Sequence, residues 1–151
     1  YKQSGKDSGF DIMRGTIDTD ALVKIFDREN MRLGGLPKIV VYPLNDYDLR
    51  ALGALTGAFP SVKLGAAWWF NDTVNGINRQ LETAAEYSAL GTQYGMLTDS
   101  RSFSSYVRFD FYRRILASFI GEKAEKGEYD ENAAIALARK IAYENIRAAL
   151  L

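Results

Sequence analysis

Lys38-Ile-Val-Val-Tyr42 is a short β-branched run, with Gly34, Gly35 and Pro37 before it and Pro43 directly after it. Such a run between chain breakers predicts a buried strand. Beyond it, Leu49, Leu52 and Leu55 recur at helical spacing over Asp46–Thr56, and Gly57 stands at a natural stop. The alternation then returns. Val62–Trp69 (VKLGAAWW) predicts a second strand, Asn71-Asp72 a turn or helix cap, and the stretch from Thr73 to Leu90 a helix burying Ile77, Leu81, Ala84 and Ala85. Tyr94–Thr98 (YGMLT) predicts a third strand. A helix follows Asp99–Ser105 and runs to Ile120, its apolar stripe being Val107, Phe111, Ile115 and Phe119. Gly121–Tyr129 is a charged connector, and Asp130 caps a final alanine-rich helix through Ala149. On the other side, Asp18 or Thr19 caps a helix to Glu29 with Leu22, Val23 and Phe26 on one face. The glycine-rich Tyr1–Asp11 stretch reads as a long loop that continues something upstream.

Strands separated by helices imply right-handed βαβ units and a parallel sheet covered on both faces. A closed (β/α)8 barrel takes roughly 250 residues, so a chain of 151 residues supplies at most its last three units. The alternative is a small open α/β sheet.

Composition narrows the function. Nineteen basic residues balance nineteen acidic ones, which disfavours nucleic-acid binding through a broad cationic field. No run of apolar residues is long enough to span a membrane. The chain contains neither cysteine nor histidine. That excludes a disulfide framework, a thiolate nucleophile and a Ser-His-Asp triad, and leaves only oxygen ligands for any metal bound by this chain alone. A cytoplasmic setting is compatible with these absences. No GxGxxG, Walker A or GxSxG motif is present.

In parallel α/β folds, ligands sit beyond the carboxyl ends of the strands. Three corners therefore matter: Tyr42–Asn45, Trp68–Asp72 and Thr98–Ser102. In the last, side chains two apart in extended chain point the same way, which gives Asp99 and Arg101 one shared mouth and turns Ser100 elsewhere. A carboxylate there can ligate a metal or move a proton, and a guanidinium can clamp an anion. Equally, Asp99 or Ser100 can simply cap the following helix, with Arg101 a surface ion pair. Trp68 and Trp69 are adjacent, so at most one enters the mouth as an apolar wall for a sugar ring while the other packs in the core; both can also be core. Tyr42 and Asn45 suit packing and capping, and Arg113-Arg114 a solvated helix surface.

At Gly95-Met-Leu-Thr-Asp-Ser-Arg-Ser-Phe103, together with Trp68-Trp-Phe-Asn-Asp72, the chain resembles the uronate (glucuronate) isomerases. The resemblance extends to Leu36-Pro-Lys-Ile-Val-Val-Tyr-Pro-Leu-Asn45 and Gly5–Asp11, covering essentially the whole chain. It implies the C-terminal part of a (β/α)8 barrel of the amidohydrolase superfamily. Residues 1–35 would then be a loop and helix, 36–60 the sixth unit, 61–93 the seventh, and 94–151 the eighth with the terminal helix. The implied activity is aldose–ketose isomerisation of hexuronates, D-glucuronate to D-fructuronate and D-galacturonate to D-tagaturonate. By the same resemblance Asp99 is catalytic and lies at one divalent metal, zinc in this reading, whose histidine ligands are absent from this chain. Arg101 is catalytic and contacts substrate, and Trp68 or Trp69, with Trp69 favoured, lines the pocket. The implied partners are a uronate sugar and either further copies of the chain or the rest of the barrel, with no nucleic acid and no membrane. The 151-residue chain by itself is expected to be inactive. Two other readings stand beside this one: a hydrolase of the same superfamily, and a non-catalytic α/β binding or assembly module.

Overall fold

The computed structural model describes residues 15–151. The Tyr1–Asp11 loop and the Gly5–Asp11 part of the resemblance lie outside the described residues. Helix α1 (Thr19–Leu33) is followed by β1 (Ile39–Val41), α2 (Leu49–Ala58), β2 (Val62–Leu64) and α3 (Val74–Tyr87). Then come α4 (Val107–Glu125), α5 (Glu131–Arg139) and α6 (Asn145–Leu150), with α5 and α6 joined by a π-helical turn over Lys140–Glu144. Short 3₁₀ turns occupy Trp69–Asn71, Leu90–Thr92 and Phe103–Tyr106.

The two strands pair in parallel, with Ile39 opposite Val62, Val40 opposite Lys63 and Val41 opposite Leu64. A parallel pair needs a crossover, and α2 supplies it, placing Leu49, Leu52 and Leu55 against the strands and α3. Helix α2 packs on α3, α3 on α4, and α4 on α5. Val62 and Leu64 of β2, Ile77, Leu81 and Ala84 of α3, and Leu116 and Ile120 of α4 form the centre of the core. Full burial of each large aliphatic side chain stabilises the fold by about 1.5–3 kcal/mol.

Caps mark the helix starts where the chemistry allows. Asp18 accepts from the Ala21 amide at 2.9 Å, and Asp130 from the Ala133 amide at 3.0 Å. Thr73, not Asn71 or Asp72, caps α3 by accepting from the Gly76 amide. Helix α1 runs past Glu29 to Leu33 and ends at Gly34, whose φ of 69° is the left-handed turn that glycine accommodates. Gly57 is no stop: α2 continues to Ala58, and a β-carbon at position 57 would lie 2.4 Å from the Tyr87 carbonyl oxygen. The residue is glycine because α3 passes there.

Several expected faces are rotated. On α1, Phe26 is buried and Leu22 partly so, but Val23 is exposed. Ala85 on α3 is exposed, while Gln80 and Thr83 are buried. On α4 the i+4 series runs off the core: Val107 and Phe111 are exposed, and the buried face is Tyr112, Ile115, Leu116, Phe119 and Ile120. A helix repeats every 3.6 residues, so a series kept strictly at four drifts around the cylinder.

The sheet is also smaller than expected. Val62–Trp69 forms strand only to Leu64; one more ladder bond, from the Gly65 amide to the Val41 carbonyl at 2.8 Å, ends it. Tyr94–Thr98 enters no sheet among the described residues. The carbonyls leading into that segment are taken from elsewhere: the Asn145 side-chain amide donates to the Gly91 and Gln93 carbonyls, both at 2.8 Å. Gly95 packs so close to the π-helical turn that a β-carbon there would lie 2.9 Å from the Ile141 carbonyl oxygen.

Candidate active site

The turn after β2 and the segment after Tyr94–Thr98 meet at one open cavity of about 730 Å³. Trp68 and Trp69 form one side of it; Thr98, Asp99, Ser100 and Arg101 form another, and Arg108 from the first turn of α4 completes the lining. This volume falls within the ordinary range for small-molecule sites.

Local backbone geometry explains which side chains arrive. Trp69 and Asp99 are the two non-glycine residues with positive φ among those described, at 54° and 48°. Left-handed backbone is uncommon for side-chain-bearing residues, easier for Asp than for Trp, and such outliers cluster at functional sites. Each breaks the strict alternation of extended chain. Ser100 therefore lines the cavity beside Asp99 and Arg101 instead of turning away, and both tryptophans line it where alternation admits only one. Trp69 is held by its neighbours: its ring stacks on Phe70 with centroids 5.4 Å apart and meets Trp68 edge-on at 5.2 Å.

Trp68 in turn meets Tyr42 edge-on at 6.4 Å. Tyr42 thus supports the indole wall from behind, and burial pushes its hydroxyl above the ordinary tyrosine value, so it is a neutral phenol near pH 7. Asn45 accepts from the Asp48 amide at 3.0 Å and closes the turn into α2. Buried Asn71 donates to the Pro43 carbonyl at 3.2 Å, tying the tryptophan turn to the end of β1.

Neither Asp99 nor Ser100 caps a helix. The 3₁₀ turn begins after Ser102 and α4 after Tyr106, each without a side-chain cap. Ser100 instead hydrogen-bonds Ser105, and Ser102 bonds Ser104 at 2.8 Å. Ser100, Ser102 and Ser105, with Arg101, Phe103 and Tyr106, line a second hollow of about 180 Å³ that shares Thr98, Ser100 and Arg101 with the larger one. Arg113 and Arg114 are exposed, Arg114 bonding Asp110 one turn back at 2.8 Å.

One participant escaped the sequence reading. Arg108 forms an ion pair with Asp72, whose side chain is 2% exposed while that of Arg108 is 40% exposed. The pair links the tryptophan turn to the start of α4. Nothing in the spacing announces it, because the partners come from different corners. The only sequence hint is a cation in the first turn of a helix, where the macrodipole disfavours it.

The donor set for a metal is incomplete. Among the described residues no three Asp, Glu, His or Cys side chains gather where they could hold an ion. Asp99 can contribute one carboxylate to a metal whose other ligands come from elsewhere.

What the fold and cavity define is an α/β unit with an open cavity beyond β2, lined by one carboxylate, two guanidinium groups and two indoles. The chain belongs to the glucuronate isomerase family, whose pattern it matches over residues 1–149. It is 42% identical over 134 residues to the uronate isomerase of Clostridium acetobutylicum, covering 85% of this chain and 28% of that protein. With the uronate isomerase of Lachnospira eligens it shares 40% identity over 153 residues, covering 96% of this chain and 32% of that protein. The crystal structure of uronate isomerase from Thermotoga maritima superposes with a TM-score of 0.87 at 33% identity, over 96% of this chain and 32% of that one. That of glucuronate isomerase from Caulobacter crescentus gives 0.83 at 30% identity, over 95% and 30%. The chain thus spans about a third of the length of these relatives.

Proposed function

We propose that this chain is the C-terminal three-unit portion of a (β/α)8 barrel and carries part of the active site of a hexuronate isomerase. The reaction is D-glucuronate to D-fructuronate, and D-galacturonate to D-tagaturonate. One observation carries the reading: in a chain of the glucuronate isomerase family, Asp99 and Arg101 line a single cavity walled by Trp68 and Trp69.

Isomerisation of an open-chain aldose moves a proton from C2 to C1 and a hydroxyl proton from O2 to O1, through an enediolate. Asp99 takes the C2 proton and returns it at C1. A free carboxylate, with a pKa of about 3.9, is a weak base toward carbon, so the step needs the enediolate oxygens stabilised. Arg101, two residues on, offers a fork of N–H donors for an anionic oxygen of the substrate. The indoles of Trp68 and Trp69 give the C–H face of the sugar an apolar wall and keep bulk water from that side. A divalent ion, zinc in this reading, would take Asp99 as one oxygen ligand and histidines from outside this chain as the remainder, and would supply Lewis-acid polarisation of the carbonyl. The rest of the barrel, from the same polypeptide or by association, completes the site. A cytoplasmic setting belongs to the same reading; no helix of the described residues is long and apolar enough to cross a membrane.

The test is turnover of both uronates by the full-length polypeptide carrying this segment, with and without Asp99→Asn. Ketose formation that disappears in the variant supports the reading; a folded full-length protein inert toward both uronates overturns it.

A further inference from the structure

We propose that Asn71 is a positioning residue: its side-chain amide, held on the Pro43 carbonyl, keeps Trp69 in the cavity. The kinetic consequence of this role rests on the uronate reading above. Trp69 has a φ of 54°, which is unfavourable for a side-chain-bearing residue and persists only where the surroundings enforce it. Its own ring does not enforce it. Trp69 is 43% exposed and stacks on Phe70, itself 40% exposed, so the two rings can leave together. Within the turn Trp69–Asn71 only Asn71 is buried.

The end of β1 grips the chain on both sides of Trp69. Before it, the Tyr42 ring meets Trp68 edge-on at 6.4 Å. After it, Asn71 Nδ2 donates at 3.2 Å to the carbonyl of Pro43, the residue next to Tyr42. The Asn71 backbone amide closes the span by donating to the Trp68 carbonyl at 3.0 Å. The start of α3 bears on Asn71 from another direction. The Thr73 amide donates to its carbonyl at 2.8 Å, and a β-carbon at Gly76 would overlap the same oxygen. Asn71 is thus pinned between β1 and α3, and Trp69 cannot return to ordinary backbone while both ends of its span are fixed. Removing the side-chain amide frees one end. Trp69 then relaxes to negative φ, and the alternation of extended chain turns one indole away from the cavity. In this role Asn71 touches no substrate; it acts through Trp69.

The test is a double-mutant cycle in the full-length enzyme with Asn71→Ala and Trp69→Ala, read by KM and kcat for D-glucuronate. Each single variant is expected to raise KM by about tenfold while kcat falls by about threefold or less, because an apolar wall binds ground state and transition state alike. The two effects do not multiply: in the Trp69→Ala background, Asn71→Ala changes KM by about twofold or less. Effects that multiply, or a loss of thermal stability with KM unmoved, overturn the proposal. A second readout needs no substrate. The indoles of Trp68 and Trp69, with centroids 5.2 Å apart, give a coupled band in circular dichroism, identified as the component lost in Trp69→Phe. Asn71→Ala is expected to lose the same component, and a folded variant that keeps it overturns the assignment. Should Asn71→Ala fail to fold, Asn71→Ser keeps a donor on a side chain too short to hold the Pro43 carbonyl in the same way; wild-type KM and an intact band in that variant overturn the proposal. A wild-type enzyme inert toward both uronates is a failure of the underlying reading, and the indole band then still decides whether Asn71 positions Trp69.

Discussion

The ring of Tyr42 fills the space in which a side chain at Gly65 would stand: a β-carbon there would lie 2.2 Å from Cε1 and 2.4 Å from Cδ1 of the ring. The contact joins the residue after β1 to the residue after β2, and through Tyr42 it reaches Trp68. The position of the indole wall therefore depends on a missing methyl group.

Gly65→Ala is expected to push Tyr42 aside and to cost about 1–3 kcal/mol, the usual range for overpacking. Urea unfolding of the full-length protein measures the loss. The tryptophan emission of the folded variant should shift as well, because Trp68 loses its support.

Asp99→Asn should fold like the parent, since Asn tolerates the left-handed backbone that position 99 adopts at φ 48°. Isomerisation should fall by about 10²–10⁴-fold, the range for loss of a general acid–base group. Retained activity with lost stability would instead assign Asp99 a purely structural role.

The 151-residue chain alone is expected to show no uronate turnover, because its described residues gather no metal-ligand cluster and it has no histidine. Product formation by the purified chain, free of any longer isomerase, would contradict this.

Asn145→Ala removes both donors to the Gly91 and Gln93 carbonyls. Leaving such acceptors unpaired costs about 1–3 kcal/mol each. Hydrogen exchange should quicken over the segment that leads to Asp99, with the α2–α3 contact unaffected.

Tyr112 is 2% exposed, and burial raises its hydroxyl above the ordinary tyrosine value near 10. The unfolded chain therefore releases that proton first as pH rises, and stability falls with pH above about 10. Below that pH both states are protonated and the group has no pH effect. Tyr112→Phe should flatten the alkaline part of a stability–pH curve measured by denaturant titration.

The sequence conveyed the helices and the first strand well, because punctuation and periodicity are local. Asp18, Asp130 and Gly34 act at helix ends as their chemistry demands. The larger failures are non-local. Which face of α4 is buried depends on where α3 and α5 press, so Phe111 turned out and Tyr112 in. Tyr94–Thr98 looked like a strand, but its approach is bonded by a side chain of the last helix rather than by β2. At the site, Asp99, Arg101 and both tryptophans were visible as types at a corner. The positive φ values that bring Ser100 and the second indole to the same hollow were not. Arg108 was invisible because its partner Asp72 lies in another corner of the chain.

The π-helical turn at Lys140–Glu144 gives the end of the chain slack of one residue. Such a turn holds one residue more than an α-helical one, and its widening keeps the helix beyond it in phase with the helix before it. Excising one exposed position of the turn should therefore close it to ordinary α-helix and leave Asn145 on the Gly91 and Gln93 carbonyls. Loss of a residue there should accordingly be milder than gain of one.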